Sequence, residues 1–246
     1  MGLKAKRFWE IDSLRGIAIL MMIVFHFLFD FNYFANADVA VSSGFWLYFA
    51  RATASLFILL VGISLTLSYS RAEKNNNALF SKYLKRGIKI FLWGFAITII
   101  TFVFLRQGYV IFGILHFIGI SIILSYPLIK KKIINLLLGG LLVISGLFLF
   151  QFTFSFRWLL WLGFIPKNLY TLDYFPLLPW FGLILIGIFL GNTLYSGYRR
   201  TYRIPDFSDF ALFRILSFLG RHSLLIYLLH QPVLIFILYF MGVVSF

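Results

Sequence analysis

Long apolar runs separated by short polar segments dominate the pattern along this chain. Seven of the runs are long enough for a helix to cross a bilayer, which takes about 20 residues. They lie near residues 16–34, 45–70, 88–105, 109–129, 133–151, 175–195 and 222–244. The alternating polarity of a membrane β-barrel, with a repeat of about ten residues, does not occur. The pattern predicts an all-α polytopic membrane protein, a bundle of about seven transmembrane helices forming one domain over residues 1–246.

Three segments between the runs are not expected to span the bilayer. Residues 75–77 are three asparagines in a polar loop, and residues 156–164 are too few to cross. We expect the second of these segments to lie at the outer surface of the membrane or to dip into it. Residues 208–219, with Ser208 as the predicted N-cap, are typical of an interfacial helix, which would carry Arg214.

Composition agrees with the membrane class and excludes several others. The chain is 61% hydrophobic and only 12% charged, whereas soluble domains average about 45–50% apolar and about 25% charged residues. It contains no cysteine, which excludes disulfides and thiolate chemistry. Its four histidines lack the acidic clusters that would complete a structural metal site, so no metal is expected.

The positive charge of the chain is distributed very unevenly between the two sides of the predicted membrane. The net charge is +14, and eighteen of the 22 lysines and arginines fall on one side. Basic residues hold the cytoplasmic side, so the amino terminus is predicted in the cytoplasm and the carboxyl terminus outside a cell membrane. The positive charge thus mainly sets the orientation of the chain in the membrane, and no nucleic acid partner is expected. A cytoplasmic basic ring also suits anionic membrane lipid or a phosphorylated cofactor.

Polar and ionisable side chains interrupt four of the apolar runs. An ionisable residue at mid-bilayer costs about 2.5–3.5 kcal/mol on insertion scales, so each is a candidate functional residue. At about 1.5 Å of rise per residue, these side chains fall in the central-to-outer layer, as one shared cavity would produce. They are His26, Asp30, Arg51, His116, His230 and Gln231.

His26 and Asp30 are four residues apart and therefore share one helix face. An aspartate near a histidine holds one tautomer and stabilises the imidazolium, as a general base requires. Alternatively, His26 hydrogen bonds within the bundle and Asp30 pairs with Arg51 for structural reasons. Such residues also build proton relays, so a proton-coupled small-molecule transporter is an alternative function. A scaffold whose polar residues only lock helix packing is a third.

The spacing of Arg15 and His26 suggests a route for an acyl-CoA donor. Eleven residues are almost three helical turns, so the two side chains face the same way about 16 Å apart. Arg15 would lie at the cytoplasmic edge, with His26 deep in the membrane. Phosphates held at Arg15 would allow an extended acyl-CoA to present its thioester near His26.

Four ordered segments resemble one known family. Asp12-Ser13-Leu14-Arg15-Gly16-Ile17-Ala18 and the following Phe25-His26 form an Arg–x10–His start, and the other three segments are residues 112–119, 173–182 and 219–232. Together they resemble the heparan-alpha-glucosaminide N-acetyltransferase catalytic-domain family of the transmembrane acyltransferase superfamily. The similarity runs from about Arg7 to Phe240.

The resemblance implies transfer of an acyl group, usually acetyl from acetyl-CoA, to a sugar hydroxyl or amine across the membrane. It implies His26 as the catalytic residue of the Arg–x10–His motif. Related acyltransferases bind acyl-CoA with a basic pair after the second span, to which residues 82–89 correspond here. This chain has fewer spans than the better-known relatives, so a homodimer is a further expectation because it would complete the acceptor site.

The expected site residues fall into three groups. The catalytic candidates are His26, Asp30, His116 and His230. The candidates for binding acetyl-CoA are Arg15, Lys82, Lys85, Arg86 and Lys89. The candidates for binding a sugar or glycolipid acceptor are Arg51, Asp173 and Gln231.

Overall fold

The computed structural model describes residues 7–35, 37, 39–73, 79–105 and 107–244, and helices dominate this part of the chain. The predicted all-α class is confirmed, because the described residues contain no strand beyond two isolated β-bridges. The polar loop at residues 75–77 lies outside the described residues. In chain order the helices are α1 (Trp9–Ala35), α2 (Gly44–Glu73), α3 (Leu79–Leu105), α4 (Ile114–Ser125), α5 (Lys132–Leu149), α6 (Leu177–Leu194), α7 (Ala211–Arg221) and α8 (Ser223–Phe240).

Six of the described helices are long and apolar enough to cross a membrane, namely all except α4 and α7. Helix α4, continued by a 3-10 turn to Leu128, is shorter than the predicted run at 109–129. Large apolar side chains along these helices face outward, and Phe104 of α3 is 80% exposed. Such extensive apolar exposure fits a lipid surrounding rather than water, so the multi-pass membrane class is confirmed.

Helix α3 begins earlier than its apolar run predicts. The run starts near residue 88, but the helix starts at Leu79. Lys82, Lys85, Arg86 and Lys89 therefore lie in the first three turns of α3. Hydropathy misses these turns because a helix that emerges from the bilayer carries polar side chains without changing its backbone.

The chain packs as two compact units. The first unit comprises Met1–Leu60 with Ile204–Phe246, and the second comprises Val61–Arg203. Helices α1, α7 and α8 belong to the first unit, and α3, α4, α5 and α6 belong to the second. The single domain expected over the whole chain stays a prediction.

Small residues bring α1 and α7 together in the first unit. A β-carbon on Gly16 would lie 2.1 Å from a backbone oxygen of α7, and one on Gly220 would lie 1.8 Å from a backbone oxygen of α1. The hydroxyls of Ser13 and Ser217 are 2.9 Å apart across the same contact. The two helices therefore meet backbone to backbone, which only small side chains permit.

The helix predicted over residues 208–219 exists as α7, but Ser208 does not cap it. The helix begins at Ala211, and its N-cap Phe210 makes no side-chain hydrogen bond. The Ser208 N–H donates to Oδ1 of Asp206 at 3.1 Å, which is an Asx turn in the preceding loop. The N-cap prediction is wrong because a local turn uses these polar residues instead.

Glycines also set the packing of the second unit. Helices α3 and α4 meet at Gly87 and Gly119, and α5 and α6 meet at Gly139 and Gly182. In each pair, a β-carbon on either glycine would lie 2.5–2.8 Å from the backbone oxygen of the other. Residues 156–164 form an irregular segment with one 3-10 turn, in agreement with the prediction that they are too few to span.

Candidate functional site

Four polar residues meet where α1 packs against α8 in the first unit. We call them the histidine cluster: His26 and Asp30 on α1, and His230 and Gln231 on α8. The imidazole rings of His26 and His230 lie edge to face, with centroids 4.9 Å apart. Nε2 of Gln231 donates a hydrogen bond to Oδ1 of Asp30 at 3.2 Å. The predicted shared face of His26 and Asp30 therefore faces two neighbouring residues of one partner helix.

One hydrogen bond determines the tautomer of His230. Its Nδ1 lies 2.5 Å from the carbonyl oxygen of Tyr227, one turn earlier in α8. A carbonyl only accepts, so Nδ1 carries the proton and a neutral ring keeps a lone pair on Nε2. This Nε2 is buried and has no hydrogen-bond partner among the described residues. A fixed imidazole with a free basic nitrogen is the arrangement that a general base requires.

The cluster contains two further unsatisfied polar atoms. Within the described part of the chain, Oδ2 of Asp30 and Oε1 of Gln231 are buried without a hydrogen-bond partner. The exposed fraction of Asp30 is only 4%. Buried polar atoms are normally hydrogen bonded, and leaving one unsatisfied costs about 1–3 kcal/mol. Three such atoms within one cluster are typical of a site that binds a polar ligand.

Two expectations about Asp30 are wrong. Among the described residues no hydrogen bond joins its carboxylate to His26; Oδ1 accepts from the amide of Gln231, and Oδ2 has no partner. Among the described residues no ion pair joins Asp30 to Arg51, whose side chain is exposed. The sequence could not identify Gln231 as the partner, since that contact depends on how α1 and α8 are rotated against each other.

Arg15 lies in the same continuous helix as His26, as the spacing prediction requires. Its Nη1 donates to Oδ1 of Asp12 at 3.1 Å and to the carbonyl oxygen of Gly220 at 3.3 Å. The side chain is 20% exposed. Arg15 therefore ties α1 to the end of α7, and its predicted role in binding acetyl-CoA stays a prediction.

The other predicted acetyl-CoA ligands form an exposed stripe on α3. They follow one another at spacings of three, one and three residues, which places them on one face of a helix. All four side chains are exposed in the second unit. We call them the α3 basic stripe: Lys82, Lys85, Arg86 and Lys89.

His116 lies on α4 in the second unit and is 4% exposed. A glycine of α3 makes room for it, because a β-carbon on Gly94 would lie 2.9 Å from its Nδ1. That nitrogen has no hydrogen-bond partner among the described residues. Nε2 lies 3.5 Å from the hydroxyl of Thr98, at the limit of a hydrogen bond. The surroundings explain how the ring packs, and its catalytic role stays a prediction.

Asp173 binds the start of α4. Its Oδ2 accepts a hydrogen bond from the backbone N–H of Ile114 at 3.0 Å, which satisfies one of the free donors at a helix N-terminus. Burial raises the pKa of Asp173 to about 6, and the hydrogen bond from Ile114 acts in the opposite direction. The structure thus gives Asp173 a capping contact, and acceptor binding by this residue stays a prediction.

The second unit contains a cavity of about 650 Å³ that the sequence did not predict. Aromatic rings, two side-chain amides and two cations line it, which suits a ring-shaped polar ligand with an apolar face. The only sequence signal was the density of aromatic residues around 156–170. We call it the aromatic cavity; its lining includes Tyr109, Arg157, Trp161, Lys167, Asn168 and Tyr170.

The comparisons with known proteins agree with the resemblance seen in the sequence. The family model described as heparan-alpha-glucosaminide N-acetyltransferase, catalytic, matches residues 7–232. The chain belongs to this family. The searches of curated proteins and of solved structures gave no match. Membership in the heparan-alpha-glucosaminide N-acetyltransferase catalytic family indicates a membrane acetyltransferase, and no observation supports the transporter alternative.

Proposed function

We propose that this protein transfers an acetyl group from acetyl-CoA to a hydroxyl or amine of a sugar-type acceptor, at or across the cell membrane. The observation that carries the proposal is the histidine cluster. It holds two imidazoles in contact within apolar helices, and the free Nε2 of His230 is fixed in orientation. The family match supports acetyl transfer as the chemistry for these groups.

In the proposed reaction, an imidazole of the cluster takes the proton of the acceptor hydroxyl or amine. The acceptor atom then attacks the thioester carbonyl of acetyl-CoA and forms the new C–O or C–N bond, while the C–S bond breaks. The coenzyme A thiolate leaves and takes the proton back from the imidazolium. His26 is the base that the family motif favours, and His230 is the second imidazole, which shares the proton or orients His26.

Asp30 and Gln231 position the acceptor in this proposal. Their free oxygens, Oδ2 and Oε1, are hydrogen-bond acceptors, so they suit the O–H and N–H groups of a sugar. The Gln231–Asp30 hydrogen bond fixes both side chains across α1 and α8. This arrangement replaces the expected direct contact between Asp30 and His26.

For the donor, we assign the phosphates of acetyl-CoA to Arg15 in the first unit; the α3 basic stripe, in the second unit, is a separate candidate for binding phosphate. Guanidinium and ammonium groups bind phosphate oxygens with charge-assisted hydrogen bonds. The aromatic cavity of the second unit is by itself a candidate sugar-binding site, since flat rings such as Trp161 pack against the apolar face of a sugar and Asn168 offers polar contacts to its hydroxyls. Arg51 is a further candidate contact for the acceptor.

The proposal includes a cytoplasmic amino terminus, an outer carboxyl terminus and a seventh span formed around α4. With its 3-10 turn, the segment Ile114–Leu128 reaches about 22 Å as a helix. That is shorter than a hydrocarbon core of about 30 Å, so the bilayer would thin locally. A homodimer is the proposed assembly.

The direct test is transfer of radiolabelled acetyl from acetyl-CoA to a panel of hexoses and hexosamines by the purified full-length chain in nanodiscs. His26→Ala should lower the rate by about 10²–10⁴-fold, the usual contribution of a general base. His222→Ala is the matched control, because this exposed ring lies between α7 and α8 and, within the described part of the chain, hydrogen bonds to the carbonyl of Phe218.

Two outcomes would contradict the proposal. A wild-type rate for His26→Ala would remove His26 from the mechanism. If the wild-type protein transfers acetyl to no sugar but moves a solute across proteoliposomes without acetyl-CoA, the transporter function would replace the enzyme.

A further inference from the structure

Three arginines line one cavity of the first unit. The cavity has a volume of about 610 Å³ and lies between the start of α1 and the exposed face of α7. Neither the histidine cluster nor the basic stripe of α3 contributes to it. We call it the arginine cavity; the residues that carry the argument are Arg7, Trp9, Arg214, Ser217 and Arg221.

Helix geometry brings these residues together. Arg214 and Arg221 are seven residues apart, about two turns, so both lie on one face of α7. Ser217 lies between them and contacts Ser13 of α1 at 2.9 Å. Arg7 directly precedes α1 and reaches the same cavity. The close glycine contacts of α1 and α7 hold the two walls in place.

The charges of the arginine cavity are not balanced within the described residues. Arg7, Arg214 and Arg221 form no ion pair there. The acidic residue in the lining is Asp12, and its Oδ1 already accepts a hydrogen bond from Arg15. Three guanidinium groups therefore face one cavity without a carboxylate to neutralise them, which favours an anionic ligand.

Trp9 lines the same cavity and carries a neutral donor. Its ring packs edge to face against Phe207 at 5.9 Å and Phe213 at 4.9 Å between centroids. The indole N–H is buried and has no hydrogen-bond partner among the described residues. A tryptophan N–H normally finds an acceptor when it is buried. An anion with several acceptor oxygens would satisfy it together with the arginines.

We propose that the arginine cavity binds a phosphate ester. The forked guanidinium groups of Arg214 and Arg221 match the geometry of phosphate oxygens, and Nε of Arg221 donates to the carbonyl of Ser217 at 3.1 Å, which orients its fork. Two sources carry this chemistry, the headgroup of an anionic phospholipid and a soluble nucleotide such as coenzyme A. The proposal goes beyond acetyl transfer, because it holds for binding even if no acetyl group moves.

The test compares phosphate binding by the wild-type chain and by the double variant Arg214→Gln/Arg221→Gln. One arm measures exchange of phosphatidylglycerol onto the protein by native mass spectrometry. The other measures binding of coenzyme A and of dephospho-coenzyme A in phosphatidylcholine nanodiscs. The double variant should bind either phosphatidylglycerol or coenzyme A at least about tenfold more weakly than the wild type, since each lost charge-assisted hydrogen bond is costly. The affected arm identifies the source.

Three further variants make the result specific. Arg199→Gln removes an exposed arginine outside the cavity and should bind like the wild type. Trp9→Phe keeps the ring contacts with Phe207 and Phe213 but removes the N–H donor, and should weaken binding about fivefold. Arg214→Lys/Arg221→Lys keeps the positive charge but lacks the forked guanidinium group. Its affinity for the phosphate ester should lie between those of the wild type and the glutamine variant.

The proposal is overturned if the glutamine variant and Trp9→Phe both bind phosphatidylglycerol and coenzyme A as the wild type does. A glutamine variant that fails to fold leaves Trp9→Phe as the deciding measurement. The readout does not depend on catalysis, because phosphatidylglycerol, coenzyme A and dephospho-coenzyme A carry no acetyl group to transfer. Failure of the phosphate site and failure of acetyl transfer are therefore distinguishable.

Discussion

At the scale of single residues, a backbone carbonyl fixes the tautomer of His230. The Tyr227 carbonyl accepts the Nδ1 proton and leaves the lone pair on Nε2. No carboxylate is needed to fix this tautomer. Asp30 is then available for a different contact, the amide of Gln231.

We predict that His230→Gln lowers acetyl transfer by about 10²–10⁴-fold, because the amide keeps a polar side chain but provides no base. The measurement is the initial rate with acetyl-CoA at saturation. His222→Gln, at the exposed junction of α7 and α8, should keep the wild-type rate. If both variants keep it, His230 has no part in proton transfer.

Asp173 makes the stability of the protein depend on pH in a defined direction. Burial raises the pKa of its carboxyl to about 6 from the ordinary 3.8. The folded state then holds the proton more tightly than the unfolded state, so this contribution to stability is present below pH about 4 and is lost as pH rises through about 6. Asp173→Asn keeps an oxygen for the N–H of Ile114 but does not titrate.

We therefore predict that the thermal midpoint of the wild type falls relative to that of Asp173→Asn between pH 4 and pH 7. Other groups titrate equally in both proteins, so the difference between the two midpoints isolates Asp173. A difference that stays constant with pH would show that the carboxyl titrates normally in the folded protein.

The sequence predicted some of the candidate residues and missed their partners. The i, i+4 spacing correctly placed His26 and Asp30 on one face of α1, since that follows from helix geometry alone. The contact of His26 with His230 and that of Asp30 with Gln231 depend on the packing of α1 against α8. No local pattern contains this information, and the assignment of Arg51 to Asp30 was wrong for the same reason.

At the scale of elements, the contact of α1 with α7 fixes the surroundings of Arg15. The carbonyl of Gly220 accepts a hydrogen bond from Arg15, and the absent β-carbon of the same glycine lets α1 approach. The packing of α1 against α7 and the orientation of Arg15, a candidate ligand for phosphate, therefore both depend on Gly220.

We predict that Gly220→Ala destabilises the protein by about 1–3 kcal/mol, as overpacking of a close contact does. Its β-carbon would lie 1.8 Å from the oxygen of Asp12, so the helices must separate. Gly140→Ala is the matched control, because a β-carbon there meets nothing within 4 Å. Thermal unfolding in detergent measures both, and equal midpoints for the two variants would contradict the close contact.

The ends of helices were predicted well where the hydropathy changes at the same residue, and poorly where the helix continues beyond its apolar run. Helix α8 runs over Ser223–Phe240, inside the predicted 222–244. Helix α3 starts about nine residues before its apolar run because its first turns carry basic side chains. The start of α7 was misplaced because Ser208 takes part in a turn with Asp206.

At the scale of the whole molecule, the distribution of basic residues predicts the orientation in the membrane. The chain contains no cysteine, so a single introduced cysteine gives a label without background. Ser196 and Ser155 are both exposed. The first follows α6 on the basic side, and the second lies in the segment before α6.

We predict that a membrane-impermeant maleimide labels Ser155→Cys but not Ser196→Cys in intact cells. Both variants should react after the membrane is permeabilised, which controls for accessibility. The reverse pattern would place the amino terminus outside and invert the proposed direction of acetyl transfer.

The membrane class could be predicted from the sequence because few structures other than membrane-spanning helices accommodate apolar runs of this length. The division into two compact units did not, since it depends on which helices pack together rather than on the polarity of each one. The aromatic and arginine cavities were missed for a related reason: their linings combine residues far apart along the chain.

The hydrogen bond from His230 to Tyr227 restricts the insertions and deletions that the start of α8 can accept. Both groups belong to one helix, so the direction of the free nitrogen depends on the angular phase of α8 around its own axis. Deleting a single residue N-terminal to Tyr227 would turn that nitrogen by about 100° and aim it away from α1. Related sequences that keep this chemistry should therefore change the length of the α7–α8 connection only by whole turns.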